Sequence, residues 1–263
     1  MLQEYGRPTE LKHEQSVHCM KNLIMTGGWA HEFSDSAVVL GKVLAAQPVN
    51  SEVVDSTIVD GIDNAIHALQ KDHFDVVTVY ACWFTMTDER YTPEQRAQWA
   101  RTTPIELRDA IAAHVKRGGG LLVLHTGIIC FTDWPEWPQY LGGSWNWGSS
   151  WHPAVEVFAA RWASSLRAPQ EHPIVCDLGE IVVEDERYCE LGVGPQAQVL
   201  LESDGPEGVQ PSMWTHEHGA TRAVFSSLGH DHRSLNNLQH GRLLRRSLAW
   251  VGQLPDTVVR EVQ

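Results

Sequence analysis

Apolar and polar positions alternate along the first half of the chain between two periods. Residues 21–26, 52–60 and 74–81 are short apolar or β-rich runs that read as strands. Between the first two, Phe33, Val38, Leu40 and Leu44 recur at helical spacing, and 62–69 reads as a short connecting helix. A further helix is predicted over 103–117, with Pro104 at its first position, Leu107, Ile111 and Val115 on one face and Gly118 as its cap. It feeds the run Gly118-Gly119-Gly120-Leu121-Leu122-Val123-Leu124-His125-Thr126-Gly127, whose apolar core bounded by glycines reads as a strand buried on both faces. Interleaved strand and helix patterns of this kind predict an α/β fold with a largely parallel sheet and right-handed crossovers.

The second half reads differently. Residues 134–151 are rich in Pro, Gly and Trp, which predicts a long ordered loop with a short helix. Strands are expected at 154–160, 181–190, 198–201, 212–215 and 221–227, forming an antiparallel extension, and Leu244, Leu248 and Val251 share one face of a closing helix. The domain plan is an extension over 1–20, a single α/β domain over 21–253 and a tail over 254–263.

Parallel strands bring their carboxyl ends to one edge of a sheet, and open α/β sheets carry their chemistry there. Three such exits hold a histidine beside a glycine-containing turn: Gly27-Gly28-Trp29-Ala30-His31, Leu124-His125-Thr126-Gly127 and Gly229-His230. His125 occupies the place of the nucleophile in a strand-exit elbow, where an imidazole serves as base, acid or metal ligand. His31 lies at a helix start, where the positive end of the macrodipole favours neutral imidazole. Cys82, after the third strand, is weighed as a nucleophile and set below a small buried thiol. In the run 181–190, Glu184, Glu186 and Tyr188 alternate onto one strand face.

Composition narrows the partners. Acidic residues outnumber basic ones 33 to 20, a formal charge of −13, and no basic cluster is present to bind nucleic acid or an anionic membrane. Five scattered cysteines without a C-x-x-C pair fit a reducing compartment, so a cytoplasmic location is expected. No apolar run is long enough to span a bilayer, and residues 1–16 lack the apolar stretch of a signal peptide. The glycine triplet at 118–120 precedes a strand, whereas nucleotide-binding loops follow one, so no nucleotide cofactor is expected. Eleven tryptophans are present, and Trp134, Trp137, Trp145, Trp147 and Trp151 crowd one stretch, which points to a lined cavity whose faces suit a sugar ring.

Taken together, G-G-W-A-H-E-F, G-G-G-L-L-V-L-H-T-G, Y-L-G-G-S-W followed by W-H-P, H-P-I at His172, D-E-R-Y at Asp185 and S-S-L-G-H-D at Ser226 resemble, in order and spacing, the ThuA-like or trehalose-utilisation family. The resemblance spans residues 22–250. It implies a class I glutamine amidotransferase-like, flavodoxin-like fold in which His125 stands where amidotransferases carry cysteine, so amide hydrolysis is disfavoured. It also implies catabolism of trehalose and related disaccharides through 3-keto sugars, with metal binding in some relatives. The Trp-rich segment 145–151 departs from the simpler loop of many members and bears on the substrate.

The expectation is therefore an enzyme cleaving or isomerising a 3-keto-glycoside, with His125, His230, Glu186 and His31 as catalytic groups. A 3-keto group acidifies the neighbouring C2 hydrogen, so an imidazole base can remove it. The same four residues are the expected ligands of a divalent transition metal, zinc or similar, because imidazole and carboxylate donors suit such ions and disfavour magnesium and calcium. Asp133, Asp231 and His232 are candidate partners of the ligand imidazoles. The competing chemistry is metal-free, with His125 as base and His230 polarising the carbonyl. Trp29, Trp83, Trp145, Trp147, His152, Tyr188 and Asp231 are the candidate substrate contacts. The alternative to an enzyme is a non-catalytic sugar-binding or regulatory protein. A small sugar is the expected partner, and a homo-oligomer is left open.

Overall fold

The computed structural model describes residues 19–46, 53–168, 171–206 and 208–263. Most of the expected N-terminal extension and the start of the second expected strand at Glu52 lie outside the described residues. In chain order the elements are β1 (Cys19–Gly28), α1 (Phe33–Ala45), β2 (Val53–Asp60), α2 (Ile62–Lys71), β3 (Val76–Cys82), α3 (Pro93–Trp99), α4 (Ile105–Lys116) and β4 (Gly120–Leu124). A single 3-10 turn, His125–Ile128, follows. Then come α5 (Trp137–Leu141), β5 (Gly143–Ser144), β6 (Glu156–Trp162), β7 (Ile181–Asp185), β8 (Gly192–Val193), β9 (Gln198–Gly205), β10 (Gly208–His218), β11 (Thr221–Ser226), α6 (His232–Leu235), α7 (Leu238–Val251) and α8 (Asp256–Glu261).

Nine strands form one sheet in the order β2-β1-β3-β4-β11-β10-β9-β6-β7. The first five run parallel and the last four continue antiparallel, as the change of pattern near residue 154 predicts. Central strands β3 and β4 are buried along their whole length, which is why their sequences are continuous apolar runs. Ile24, Leu122, Leu124 and Val224 face α1, α6 and α7, and Leu23, Val77, Val123 and Phe225 face α2, α4 and α5.

The sheet is not flat. From β11 to β7 is four strand spacings, about 19 Å across an open sheet. Yet Asp185, the last residue of β7, accepts hydrogen bonds from the backbone just after β11. The antiparallel half therefore curls so that β7 packs on α6 and its outer end returns to the carboxyl edge of the parallel half. The helices α3, α6 and α8 carry too few apolar repeats to be legible as patterns. The stretch read as a tail contains α8, whose Val259 is fully buried.

The corner between α4 and β4 is closed by a buried histidine. His114 donates from Nε2 to the Gly120 carbonyl (2.8 Å) and accepts at Nδ1 from Arg117 (2.9 Å), an arrangement only the neutral ring satisfies. A Cβ at Gly119 would lie 2.3 Å from that ring, so the glycine is required by the imidazole. Burial pushes His114 down to about 4. The unfolded chain then takes up a proton that the folded one refuses, so this contribution to stability is complete above about pH 6.5 and is lost as pH falls through the folded value. On the order of 3 kcal/mol is at stake. Urea unfolding between pH 8 and pH 4 should show His114→Asn less stable at pH 8 and less steeply dependent on pH; an unchanged slope would remove His114 from this role.

Candidate functional site

The first side chain of the site is set by a strained exit. His125 follows β4 directly with φ +50°, a conformation that β-region sterics discourage in a residue with a Cβ and that is retained where the surroundings over-determine it. Its ring is fully buried, and Nδ1 donates to the Ser227 carbonyl at 2.7 Å, which leaves Nε2 as the nitrogen with the free lone pair. At the end of β1, Gly28 (φ +114°) lies so close to β3 that a Cβ would be 2.2 Å from the Cys82 carbonyl, and Trp29 N–H donates to that carbonyl. This turn delivers His31, whose Nδ1 faces the Trp29 carbonyl at 3.4 Å and whose Nε2 is directed inward. His230 follows β11, its backbone N–H held by Asp185 at 3.2 Å.

The three imidazoles pack pairwise with centroids 4.8, 5.1 and 5.4 Å apart. Glu186 joins them: its Oε2 is 3.3 Å from His125 Nε2, 3.4 Å from His230 Nδ1 and 3.5 Å from His152 Nδ1. One donor atom from each of His31, His125, Glu186 and His230 falls within 4.8 Å of all the others.

The donor atoms of this cluster converge closely enough that one cation could be held by all four residues. With Nδ1 of His31 and His125 facing carbonyls, their two Nε2 atoms meet at 3.2 Å, a contact that a shared proton or a cation makes favourable. Tetrahedral zinc with bonds of 2.0–2.1 Å separates neighbouring ligand nitrogens by about 3.4 Å, close to that spacing. His230 Nδ1 is buried without a well-aligned partner although Glu186 is near. Burial, followed by the neighbouring His125 and His230, pushes His31 down to about 3, so the neutral form expected from its helix start has a stronger cause. For Glu186, burial opposes the charge, but the facing imidazoles of His125 and His230 outweigh it and hold the carboxyl well below the usual range. For His230, burial works against the cation and Glu186 works for it, with a net upward shift.

A cavity of about 270 Å³ opens above this cluster. His31 and Glu186 lie on its floor, with His125 and His230 behind them; Trp29, Trp145, Trp147 and Trp151 stand in its walls with Phe84, Tyr91 and Tyr188. A larger groove of about 570 Å³ beside His216 and His218 gathers no comparable set of donors, so size does not mark the site.

Several expected contacts are placed elsewhere. Trp83 is buried on the opposite face of the sheet against Phe131, because side chains alternate at the end of β3 and the cavity takes Cys82 and Phe84. Burial raises the Cys82 thiol well above its usual value, which removes it as a nucleophile. Asp231 does not line the cavity: it caps α6 through the Arg233 N–H at 2.8 Å and pairs with the Arg233 side chain. His232 is an exposed residue of α6, and Asp133 accepts from Thr103 and Arg108 at the start of α4. None of these three is hydrogen-bonded to a site imidazole, whereas the carbonyls of Ser227 and Trp29 face His125 and His31. Trp134 and Trp137 are core, stacked 6.0 Å apart, so the Trp-rich stretch is half core and half wall.

The residue that sequence reasoning missed is Asp185. Fully buried, it accepts from Gly229 N–H (2.7 Å), His230 N–H (3.2 Å) and Glu186 N–H (2.7 Å), and it lies 4.0 Å from His125 Nδ1. Its signal was the D-E pair, in which strand alternation had singled out only the glutamate. Glu184, expected on the face of Glu186, pairs instead with Arg233 outside the cavity.

A family model described as trehalose utilisation, ThuA, matches residues 21–251. No curated protein sequence matches the chain. Among solved structures, a ThuA-like protein from Parabacteroides merdae is 20% identical with a TM-score of 0.65, covering 89% of this chain and 90% of its own. A second, from Bacteroides uniformis, is 16% identical with a TM-score of 0.59 over 93% and 96%. A cytoplasmic protein from Salmonella typhimurium is 14% identical, also at 0.59, over 88% and 99%. At these identities the likeness is one of fold.

Replacing Asp185 by Ala strands three backbone N–H groups, two of them at the turn that carries His230 and the third on Glu186. A loss on the order of 3 kcal/mol in urea unfolding is expected, since each unmet buried donor costs about 1–3 kcal/mol. Hydrogen exchange at residues 229 and 230 should accelerate; unchanged exchange there would mean that Asp185 does not hold the turn.

Proposed function

The chain belongs to the trehalose utilisation (ThuA) family, and on that premise we propose that it is a carbohydrate-catabolic enzyme acting on a 3-keto-glycoside or closely related oxidised sugar, with a divalent transition metal held by His31, His125 and His230 and with Glu186 beside it. The observation that carries the reading is the convergence of donor atoms from His31, His125, His230 and Glu186 within 4.8 Å of one another, under a cavity walled with indoles. Imidazoles whose second nitrogen donates to a carbonyl are typical of metal ligands. When bound, such an ion supplies Lewis acidity toward a ketone and the hydroxyl beside it.

The chain's own groups do the rest. The tryptophan faces hold the apolar side of the ring and exclude water from the floor. Glu186, ionised and within 3.5 Å of three imidazoles, is placed to accept the acidified C2 proton. As that C–H bond breaks, its electron pair forms the C1–C2 double bond and the anomeric C–O bond leaves with its own pair, to be protonated from solvent. Without expulsion the C–H pair goes instead into a C2–C3 double bond, with the charge on the C3 oxygen; passage of the O2 proton to O3 and delivery of the Glu186 proton to C3 then gives the 2-keto isomer. Tyr188 and Cys82 stay protonated through burial, so neither competes as base.

Metal analysis of the purified protein together with turnover of a 3-keto-disaccharide tests this reading. A stoichiometric first-row ion, its loss in His125→Ala, and activity abolished by exhaustive chelation and restored by zinc or a neighbouring ion are expected. Activity that survives in metal-free protein would replace the coordination set by the acid–base pair of His125 and His230. Stoichiometric sugar binding without turnover would make the protein a binding module.

Trp147 is the wall residue most open to solvent, at 39%. Its replacement by Ala should weaken keto-glycoside binding about tenfold, in line with the 1–3 kcal/mol typical of stacking on an aromatic face. The melting temperature should move little; a large fall without loss of binding would return Trp147 to a packing role.

A further inference from the structure

We propose that Tyr80 is a positioning residue for the site: its hydroxyl works against the Asp185 carboxylate to fix the peptide group that aims His230. The inference rests on the coordination reading above and adds to it a residue that lies outside the cavity lining.

The turn that carries His230 has little to hold it except hydrogen bonds. Gly229 sits at φ +120°, a region open to glycine, and a Cβ there would meet only Leu235 Cδ2 at 3.7 Å and Tyr80 Cε2 at 4.0 Å. Crowding therefore does not set its direction. Asp185 receives the N–H of Gly229 at 2.7 Å and that of His230 at 3.2 Å. From the other side, Tyr80 Oη donates to the Gly229 carbonyl at 2.8 Å and lies 3.4 Å from the His230 carbonyl. The His230 N–H and the Gly229 carbonyl belong to one planar peptide group. That group is gripped at both ends, and its orientation sets the direction in which the His230 side chain leaves the backbone. Released at one end, it is free to swing on the glycine before it. Such a swing would move His230 Nδ1 away from Glu186, 3.4 Å distant, and leave the other two imidazoles where they are.

Tyr80 is well anchored for this task. Its ring is fully buried in β3 and stands edge-on to Phe33 at 5.4 Å, and Phe33 in turn lies 5.3 Å from the His31 ring. Ser36 of α1 is a further hydrogen-bond neighbour of the hydroxyl. The phenol thus joins the parallel half, which supplies His31, to the turn that supplies His230. Asp185 makes the matching connection from the antiparallel half. Groups of this kind, which orient a ligand without touching the metal, typically carry about 10–100-fold in metal affinity.

Tyr80→Phe keeps the ring and its packing and removes one oxygen. Zinc affinity, measured by competition with a chromophoric chelator, should fall about tenfold. In a His230→Ala background the same substitution should change it by less than about twofold, because the group it aims is gone. His114→Asn, destabilised at the opposite edge of the sheet, should bind zinc within about twofold of the unaltered protein, which separates positioning from a general loss of stability. Unchanged zinc affinity in Tyr80→Phe, or an equal loss in both backgrounds, overturns the proposal while the coordination reading stands. If the unaltered protein takes up no zinc, the coordination reading falls. In that case, or where His230→Ala binds too weakly to measure, hydrogen exchange of the metal-free protein decides: the residue 230 amide should exchange about tenfold faster in Tyr80→Phe. Unchanged exchange there overturns the role of Tyr80.

Discussion

One buried carboxylate sets the shape of the functional edge. Asp185 ends the outermost strand of the sheet, yet its two oxygens receive N–H groups from Gly229 and His230, which follow a strand four places away. That connection requires the antiparallel half to roll over the helices behind it. The roll places Glu186 against the imidazoles contributed by the parallel half. Without it, the carboxyl edge would present three histidines and no acid. The same carboxylate accepts the Glu186 N–H, so direction of the chain and position of the acid are fixed by one group.

How much of this was legible in the sequence depends on the kind of information each residue carries. The carboxyl ends of parallel strands converge by topology, so histidines 31, 125 and 230 could be assembled on paper from strand order alone. Strand assignments for β1, β3 and β4 rest on apolar runs, whose burial leaves little alternative. What a linear pattern does not carry is rotational phase where a strand stops. Trp83 lies between two cavity residues and turns away from the cavity, and Asp185 and Glu186 both turn inward where strict alternation allows one. The Trp-rich stretch was read as a unit, but α5 begins at Trp137 and buries Trp134 and Trp137 against Phe131 before the chain emerges at Trp145. Asp133, Asp231 and His232 were chosen by nearness in sequence, whereas the groups that orient the imidazoles are main-chain carbonyls, which no residue identity reveals.

The cavity also separates two tasks that sequence composition blends. Polar groups lie on the floor, while Asp231 and Glu184 pair with Arg233 outside the cavity and Arg90, at its edge, pairs with Asp88. The aromatic walls supply most of the surface a ligand meets above that floor.

The four converging groups are drawn from positions 31, 125, 186 and 230, one from each major stage of the chain. During synthesis the earliest of them waits, already attached to β1, until the segment after β11 has been made and the sheet has rolled. No chain that stops before His230 contains the cluster, and neither does either fragment of a chain cleaved between His31 and His230. Whatever the cluster binds is thereby denied to incomplete or misfolded copies, and its occupancy reports on the integrity of the entire sheet.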